Sequence, residues 1–174
     1  MVLYIAFKLV IKNIKMKKKF SHLNKNGEPT MVDVSDKGIS RRLAVARSVV
    51  IMAPEILEQF KKDEIHTKKG PVFQTAIVAG IMASKKTSEI IPLCHFLTLD
   101  RCEISIDLND KKEVEIICRV KTSGKTGVEM EALTGASVAA LTIYDMCKGF
   151  SHHILIKETR LIEKIGGKND FKIT

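Results

Sequence analysis

Two alternating segments in the second half of the chain constrain its fold more than any other feature. CEISIDLN (residues 102–109) and EVEIICRVKT (residues 113–122) each alternate apolar and polar side chains, as β-strands with one buried face do. The Asn109-Asp110-Lys111-Lys112 segment between them is typical of a tight turn. We therefore predict an antiparallel hairpin, whose apolar face other elements must cover.

The rest of the chain supplies elements that can cover this face. A β-branched cluster before Ala53-Pro54 predicts a strand, and small apolar residues ending at Pro92 predict a buried helix. Strands are predicted at 43–52 and 152–164, and helices at 55–62, 72–90 and 134–148. This order predicts a mixed α+β domain, with an antiparallel sheet and helices packed mainly on one face.

Length and composition indicate a single domain, which we place at residues 21–174. The chain has 174 residues and is 45% hydrophobic, which is ordinary for a globular domain. We interpret residues 1–20 as an N-terminal extension, either disordered or an artefact of start-site choice, since Met16 is an alternative start. Its apolar run is broken by Lys8 and is too short to span a bilayer.

The cysteines argue against a disulfide framework and against a zinc site. The chain has four cysteines, Cys94, Cys102, Cys118 and Cys147. They show neither a CxxC pair nor a Cys/His spacing typical of zinc ligands. A reducing, cytoplasmic location is expected. The formal charge of +9 indicates an anionic partner, such as nucleic acid, an acidic membrane surface or a phosphorylated small molecule. A basic nucleic-acid-binding domain is the main alternative to an enzyme, although no known RNA- or DNA-binding motif is present.

The GKTGVEME segment contains the end of a phosphate-binding loop but does not satisfy the full pattern. The first glycine of that pattern would fall on Arg119, inside a predicted strand. Residues 127–131 are instead predicted to be extended. Glu129 and Glu131 would then project from the same face, either as a pair with one raised pKa or as a solvated strand edge.

Three further groups have both a chemical and a structural interpretation. Asp145 and Lys148 are three residues apart in the predicted last helix, so their side chains lie close together. They could form a surface ion pair or an acid–base couple with shifted pKa values. Cys94 and His95 lie in a helix-to-strand connection, which is a common position for functional groups, although a lone histidine is usually a packing or surface residue. The Lys68-Lys69-Gly70 turn could receive a phosphate or be solvated.

Five segments together resemble the MoaC family of molybdenum cofactor biosynthesis. They are MVDVSDK (31–37), KKGPVFQTAIVAGIMASKKT (68–87), IPLCH (91–95), GKTGVEMEALTGASVAALTIYDMCKG (124–149) and GGKNDF (166–171). The resemblance covers residues 21 to 172. It implies a lyase that converts a cyclised dihydroguanosine triphosphate into cyclic pyranopterin monophosphate and diphosphate.

The resemblance also implies which residues form the site. Asp145 and Lys148 match the family's catalytic pair. The expected substrate-binding residues are Leu93, Cys94, His95, Glu129, Met130, Glu131, Lys69 and Lys168, with Arg42 as a weaker candidate. Phe96 departs from the family pattern, in which proline commonly follows the histidine, and this departure puts the path of the connection that holds His95 in question.

The family's architecture adds expectations about fold and assembly. A ferredoxin-like α+β sandwich is implied, together with a homohexamer, a trimer of dimers whose active sites lie at the dimer interface. No cofactor and no protein-bound metal are expected, although Mg²⁺ could accompany the triphosphate. Neither nucleic acid nor a membrane is an expected partner.

Overall fold

The computed structural model describes residues 23–24 and 26–173. It divides the chain into two compact units, Met1–Val32 and Asp33–Thr174. Within the first unit, the Asn24 side-chain oxygen accepts hydrogen bonds from the backbone N–H groups of Asn26 and Glu28, both at 2.9 Å. The described part of that unit is residues 23–24 and 26–32, and the extension predicted at residues 1–20 lies outside the described residues.

The second unit is built on a five-stranded antiparallel sheet. Its strands are β1 (Ser40–Ile51), β5 (Arg101–Leu108), β6 (Val114–Gly124), β7 (Leu155–Ile165) and β8 (Phe171–Lys172). The spatial order is β5-β6-β1-β7-β8. The predicted hairpin is confirmed as β5 and β6, and the Asn109 side chain accepts the N–H groups of Lys111 and Glu113 in its turn.

A small second sheet and four helices complete this unit. Strands β2 (Phe60–Lys61), β3 (Glu64–Thr67) and β4 (Gly70–Pro71) form the small sheet. The helices are α1 (Pro54–Leu57), α2 (Val72–Lys85), α3 (Thr87–Ile90) and α4 (Glu129–Cys147). Residues 68 and 69 form the tip of the β3–β4 hairpin, since Thr67 pairs with Gly70.

Helices α2 and α4 cover one face of the large sheet, as predicted. Ala136, Ala139 and Ala140 of α4 are fully buried in one cluster with Ala44 and Cys118 of the strands. Small side chains let the helix approach the sheet closely, which explains the alanine-rich composition of this segment. The α+β prediction is confirmed, and the arrangement is consistent with a ferredoxin-like fold.

The opposite face of the sheet carries both charged and apolar side chains. Arg47 lies between two carboxylates, with its Nε 2.6 Å from Glu115 and its Nη1 3.1 Å from Glu158. Val45 and Val49 project from the same face as Arg47 and are buried, but they lie outside the main hydrophobic cluster. The main hydrophobic core therefore lies on the helical side of the sheet.

Three helix predictions require correction. The helix expected at 55–62 ends at Leu57, because the chain turns into the β2–β3 hairpin, with Lys62 and Asp63 at positive φ. The helix expected at 72–90 breaks at Lys86 into α2 and α3. The last helix begins at Glu129 rather than Thr134, so the prediction of an extended segment at 127–131 is wrong.

Candidate functional site

The start of α4 separates the two glutamates that an extended chain would have placed together. Val128 ends the loop before the helix, and Glu129 and Glu131 both lie in its first turn, where the helix dipole favours carboxylates. Two positions along a helix correspond to a rotation of about 200°. The predicted same-face pair is therefore wrong, and the two carboxylates have different surroundings.

Glu129 faces a cavity that we call the basic pocket, which has a volume of about 460 Å³. Its carboxylate lies over Gly127 and forms an ion pair of 3.3 Å with Lys164. The charged lining of the pocket is Lys37, Arg42, Lys125, Glu129, Lys164 and Lys168. One carboxylate among five cationic side chains leaves this pocket strongly positive, as a polyanion site requires.

Hydrogen bonds hold the basic pocket in shape. The ammonium group of Lys125 donates to the carbonyl oxygen of Ser35 at 2.7 Å. Gly166 adopts φ +90°, where a Cβ would contact the Arg41 carbonyl, so this turn requires glycine. The Gly166 N–H donates to Asp170 at 2.9 Å. The two Gly166 contacts fix the turn that carries Lys168, and the Lys125 bond holds the segment at Ser35.

Glu131, in contrast, is buried on the other side of the helix turn. Burial raises the pKa of its carboxyl group, and the charge of Glu129 adds to this effect. Burial also raises the pKa of the Cys94 thiol, and Glu131 is the second cause. Glu131 and Cys94 are therefore neighbours, and a carboxyl group with a raised pKa can hold a proton for transfer.

The connection between α3 and β5 holds the other predicted contact residues. Leu93, Cys94 and His95 are half-buried there. The pKa of Asp33 is lowered first by hydrogen bonds from Ser35, and the charges of Lys125 and His95 lower it further. His95 thus lies near the segment that borders the basic pocket. Phe96 projects outward with 82% exposure.

The far end of α4 forms a second cavity, the lysine–aspartate pocket, with a volume of about 380 Å³. Asp145 accepts from Lys148 at 2.8 Å through one carboxylate oxygen, and from Lys69 at 2.8 Å through the other. Lys69 also donates to the Asp145 backbone carbonyl at 3.0 Å. The structure therefore brings together three residues from two separate sequence motifs.

These contacts favour the ionised forms of Asp145 and Lys148. Hydrogen bonds from Lys148 and Lys69 lower the pKa of Asp145 to about 2. The contact with Asp145 in turn raises the pKa of Lys148. Such a pair can serve chemically as a proton donor held in place by a carboxylate.

Helix α4 separates the two pockets within one chain. Glu129 begins the helix and Asp145 lies in its last turn. At 1.5 Å per residue, the two positions are about 24 Å apart along the helix axis. Met130 is partly exposed near the first end. The candidate residues thus divide between two ends of one helix and do not line a single cavity in this chain.

Three basic-pocket residues were missed by the sequence-based site prediction. Lys37, Lys125 and Lys164 come from three separate segments, and the sheet topology brings them together with Lys168. A weak signal existed for Lys125, since the GKT triplet resembles the end of a phosphate loop. Across residues 23–24 and 26–173, no three His, Cys, Asp or Glu side chains cluster in a way that could hold a metal ion.

A family model for the MoaC family matches residues 31–167. The chain belongs to the MoaC family. A cyclic pyranopterin monophosphate synthase of Xanthomonas axonopodis is 49% identical over 152 residues, which cover 87% of this chain and 92% of that protein. A very similar synthase of Xanthomonas campestris is 48% identical over the same shares of both chains.

Longer MoaC-containing relatives match as well. The chain is 50% identical to the molybdenum cofactor biosynthesis protein 1 of Dictyostelium discoideum over 167 residues, which cover 86% of this chain and 26% of that protein. It is 52% identical to a molybdenum cofactor biosynthesis bifunctional protein of Synechocystis over 159 residues, 89% of this chain and 46% of that protein. The chain thus spans about a quarter of the Dictyostelium protein and under half of the Synechocystis protein.

Membership in the MoaC family favours the enzyme hypothesis over the nucleic-acid-binding alternative. Asp145 and Lys148, which match the family's catalytic pair, meet Lys69 in the lysine–aspartate pocket. Within the part of the chain that the structure describes, no helix is long and apolar enough to cross a membrane.

Proposed function

We propose that this MoaC-family chain is a lyase that converts a cyclised dihydroguanosine triphosphate into cyclic pyranopterin monophosphate and diphosphate. The observation that carries the proposal is the Asp145 carboxylate held between Lys69 and Lys148 at 2.8 Å each. The names of the Xanthomonas relatives support the same activity. This activity places the chain in molybdenum cofactor biosynthesis.

The proposed reaction needs two chemical capabilities. The guanine-derived ring must open and reclose as a pterin, which requires proton transfers at nitrogen and carbon. A sugar hydroxyl must then attack the α-phosphorus, forming an O–P bond while the bond to the diphosphate breaks and the hydroxyl proton passes to a base. One of the two lysines, Lys148 or Lys69, would first donate a proton to the ring, and the neutral amine formed in that step would then accept the hydroxyl proton. Asp145 would orient both lysine side chains. Well-placed acid–base groups typically contribute about 10²–10⁴ in rate.

The basic pocket suits the triphosphate. Its cations would bind the phosphate oxygens and stabilise the negative charge that develops on the leaving diphosphate. Lys168 and Arg42 fit this role because both line the pocket. Any Mg²⁺ would enter with the triphosphate, as part of the substrate complex.

We further propose that two chains complete each active site. The substrate places its ring and its triphosphate within one small molecule, yet the two pockets lie at opposite ends of α4 in one chain. A two-fold dimer could place the basic pocket of one chain beside the lysine–aspartate pocket of its partner. A homohexamer built as a trimer of such dimers, acting in the cytoplasm, is the assembly we propose.

The activity is tested by mixing the purified protein with the cyclised dihydroguanosine triphosphate. Diphosphate release and pterin fluorescence after oxidation are then followed together. We expect coupled formation of both products, and its loss in Lys148→Ala and Asp145→Asn. Lys157→Ala is the matched control, because Lys157 forms a 2.8 Å ion pair with Glu113 outside both pockets. Absence of turnover by the folded wild-type protein would refute the proposed activity.

The shared site is tested by co-expressing Asp145→Asn with the double variant Lys125→Ala/Lys168→Ala, and by assaying at substrate concentrations below KM, where we expect each protein alone to have almost no turnover. If each site combines pockets from two chains, a mixed dimer retains one intact site. Random pairing should then restore roughly a quarter of the wild-type turnover. If each chain carries a whole site, mixing the variants restores nothing, and the two-chain proposal is wrong even if the activity is right.

A further inference from the structure

Glu64, which no sequence motif singled out, makes an unusual set of buried contacts. Its side chain lies in the small sheet with only 9% exposure. One carboxylate oxygen accepts the backbone N–H groups of Ile65 and Phe73, both at 2.8 Å, and the other accepts that of Gln74 at 3.1 Å. A buried carboxylate with three such partners is fully satisfied and held in one orientation.

These contacts replace the usual cap of helix α2. The first N–H groups of a helix have no partner within it, and a side chain at the preceding residue commonly accepts them. Here that residue is Pro71, which makes no capping hydrogen bond with a side chain. Glu64 supplies the acceptor from β3 instead. It thereby joins the start of the β3–β4 hairpin to the helix that follows the hairpin.

The hairpin that Glu64 closes carries Lys69 at its tip. Thr67 accepts the Lys69 N–H at 3.1 Å and donates to the Gly70 carbonyl at 3.3 Å, which fastens the tip itself. Lys69 then reaches Asp145 through both the carboxylate and the backbone carbonyl. The path from Glu64 to the lysine–aspartate pocket is therefore a short hairpin whose base and tip are both hydrogen-bonded.

We propose that Glu64 is a positioning residue for Lys69, which it holds against Asp145 by fastening the base of the β3–β4 hairpin to helix α2. Its contribution to turnover rests on the proposed function. Its contribution to the position of Lys69 does not. Without the carboxylate, the hairpin would keep its backbone pairing but lose its anchor to the helix, and Lys69 would sample positions farther from Asp145.

The test uses Glu64→Gln in the full chain. An amide oxygen can replace one carboxylate oxygen, but the amide N–H₂ group would face a backbone N–H and repel it. The primary readout is the pKa of Asp145, followed by NMR of ¹³C-labelled aspartate. In the wild type, this pKa is held at about 2 by Lys148 first and Lys69 second, so displacement of Lys69 should raise it.

Kinetics provide the second readout. Misplacement of a catalytic group by about 1 Å can cost up to 10²-fold in rate, so we expect kcat to fall roughly tenfold in Glu64→Gln while KM changes less. The matched control is Glu58→Gln, an exposed glutamate near the same hairpin. We expect this control to change neither the Asp145 pKa nor kcat.

Glu64→Asp is the second variant, in case Glu64→Gln does not fold. It keeps the charge but is one methylene shorter and cannot reach all three N–H groups, so it should raise the Asp145 pKa by a smaller amount. An Asp145 pKa equal to that of the wild type in the folded Glu64 variants would overturn the proposal. Because the titration needs no substrate, it decides the positioning role even if the wild-type protein shows no turnover.

Discussion

Gly80 of α2 and the backbone carbonyl of Gly135 of α4 are in such close contact that no side chain fits between them. A Cβ on Gly80 would lie 2.7 Å from the Gly135 oxygen and 2.5 Å from the Ile104 side chain. The backbone oxygen cannot move aside without shifting the helix. This contact fixes how α2, which follows the Lys69 hairpin, packs against α4, which carries Asp145.

Gly80→Ala should therefore destabilise the fold. Overpacking costs about 1–3 kcal/mol, and the better helix propensity of alanine offsets about 1 kcal/mol of this. Because the backbone oxygen cannot give way, we expect a cost near the upper limit and a net loss of about 2 kcal/mol in the free energy of unfolding, measured by urea denaturation. Gly38→Ala is the control, because its Cβ would meet nothing within 4 Å. Equal stability of the two variants would contradict the close packing.

The stability of the protein should depend on Asp145 in acid. Its folded pKa of about 2 lies below the ordinary 3.8, so its contribution is fully present above the unfolded pKa and is lost as pH falls through the folded value. The difference in unfolding free energy between wild type and Asp145→Asn should shrink between about pH 4 and pH 2. A difference that stays constant across this range would argue against the lysine contacts.

The contribution of Glu131 to stability should have the opposite pH dependence to that of Asp145. Burial raises its folded pKa, so the charged form destabilises the fold, and stability is lost as pH rises through the folded value. Glu131→Gln should therefore unfold at higher urea concentration than wild type at about pH 7, with a smaller difference at about pH 4. If Glu131 transfers a proton in the reaction, the same variant should lose turnover. Exposed Glu89→Gln should change neither property.

Lys168 and Lys125 should act on binding of the triphosphate. Alanine at either position removes one cation from the basic pocket, and we expect KM to rise about tenfold, since hydrogen bonds to charged groups contribute about 1.5–3 kcal/mol. The effect should weaken as salt is added, because screening reduces the attraction in the wild type as well. An unchanged KM in both variants would place the triphosphate elsewhere.

The four cysteines should differ in reactivity. Cys94 and Cys102 are partly exposed, whereas Cys118 and Cys147 are buried, and burial raises the pKa of Cys147 to about 11. At about pH 7.5, iodoacetamide should modify Cys94 and Cys102 before the two buried thiols, because the reactive thiolate must both form and be accessible. Peptide mapping checks this, and first modification at Cys118 or Cys147 would be the contrary result.

The sheet could be predicted because its signals are local. Alternation over residues 102–122 sets which face is buried, and the Asn109 side chain forms the turn without help from distant residues. The start of α4 could not be predicted in this way. The segment at 127–131 alternates apolar and polar residues as a strand does. The helix is favoured instead because it buries Val128 and Ala132 in the hydrophobic core.

In the candidate site, too, local contacts could be predicted from the sequence and long-range contacts could not. Asp145 and Lys148 lie one helical turn apart, so their contact follows from spacing alone. Lys69 contacts the same carboxylate although it lies 76 positions from Asp145 in the sequence. The contacts of Glu64 depend on the β3–β4 hairpin, which the periodicity of the sequence did not indicate. The convergence of Lys37, Lys125 and Lys164 follows from the order of strands, which a single sequence does not encode locally.

The length of helix α4 limits where residues can be inserted into or deleted from this chain. Each inserted or deleted residue between Glu129 and Asp145 would shift one pocket by about 1.5 Å and rotate it by about 100° relative to the other. The Asn109–Lys112 turn has no such effect on either pocket. Functional variants of this chain should therefore differ in length at that turn but keep the spacing of α4 unchanged.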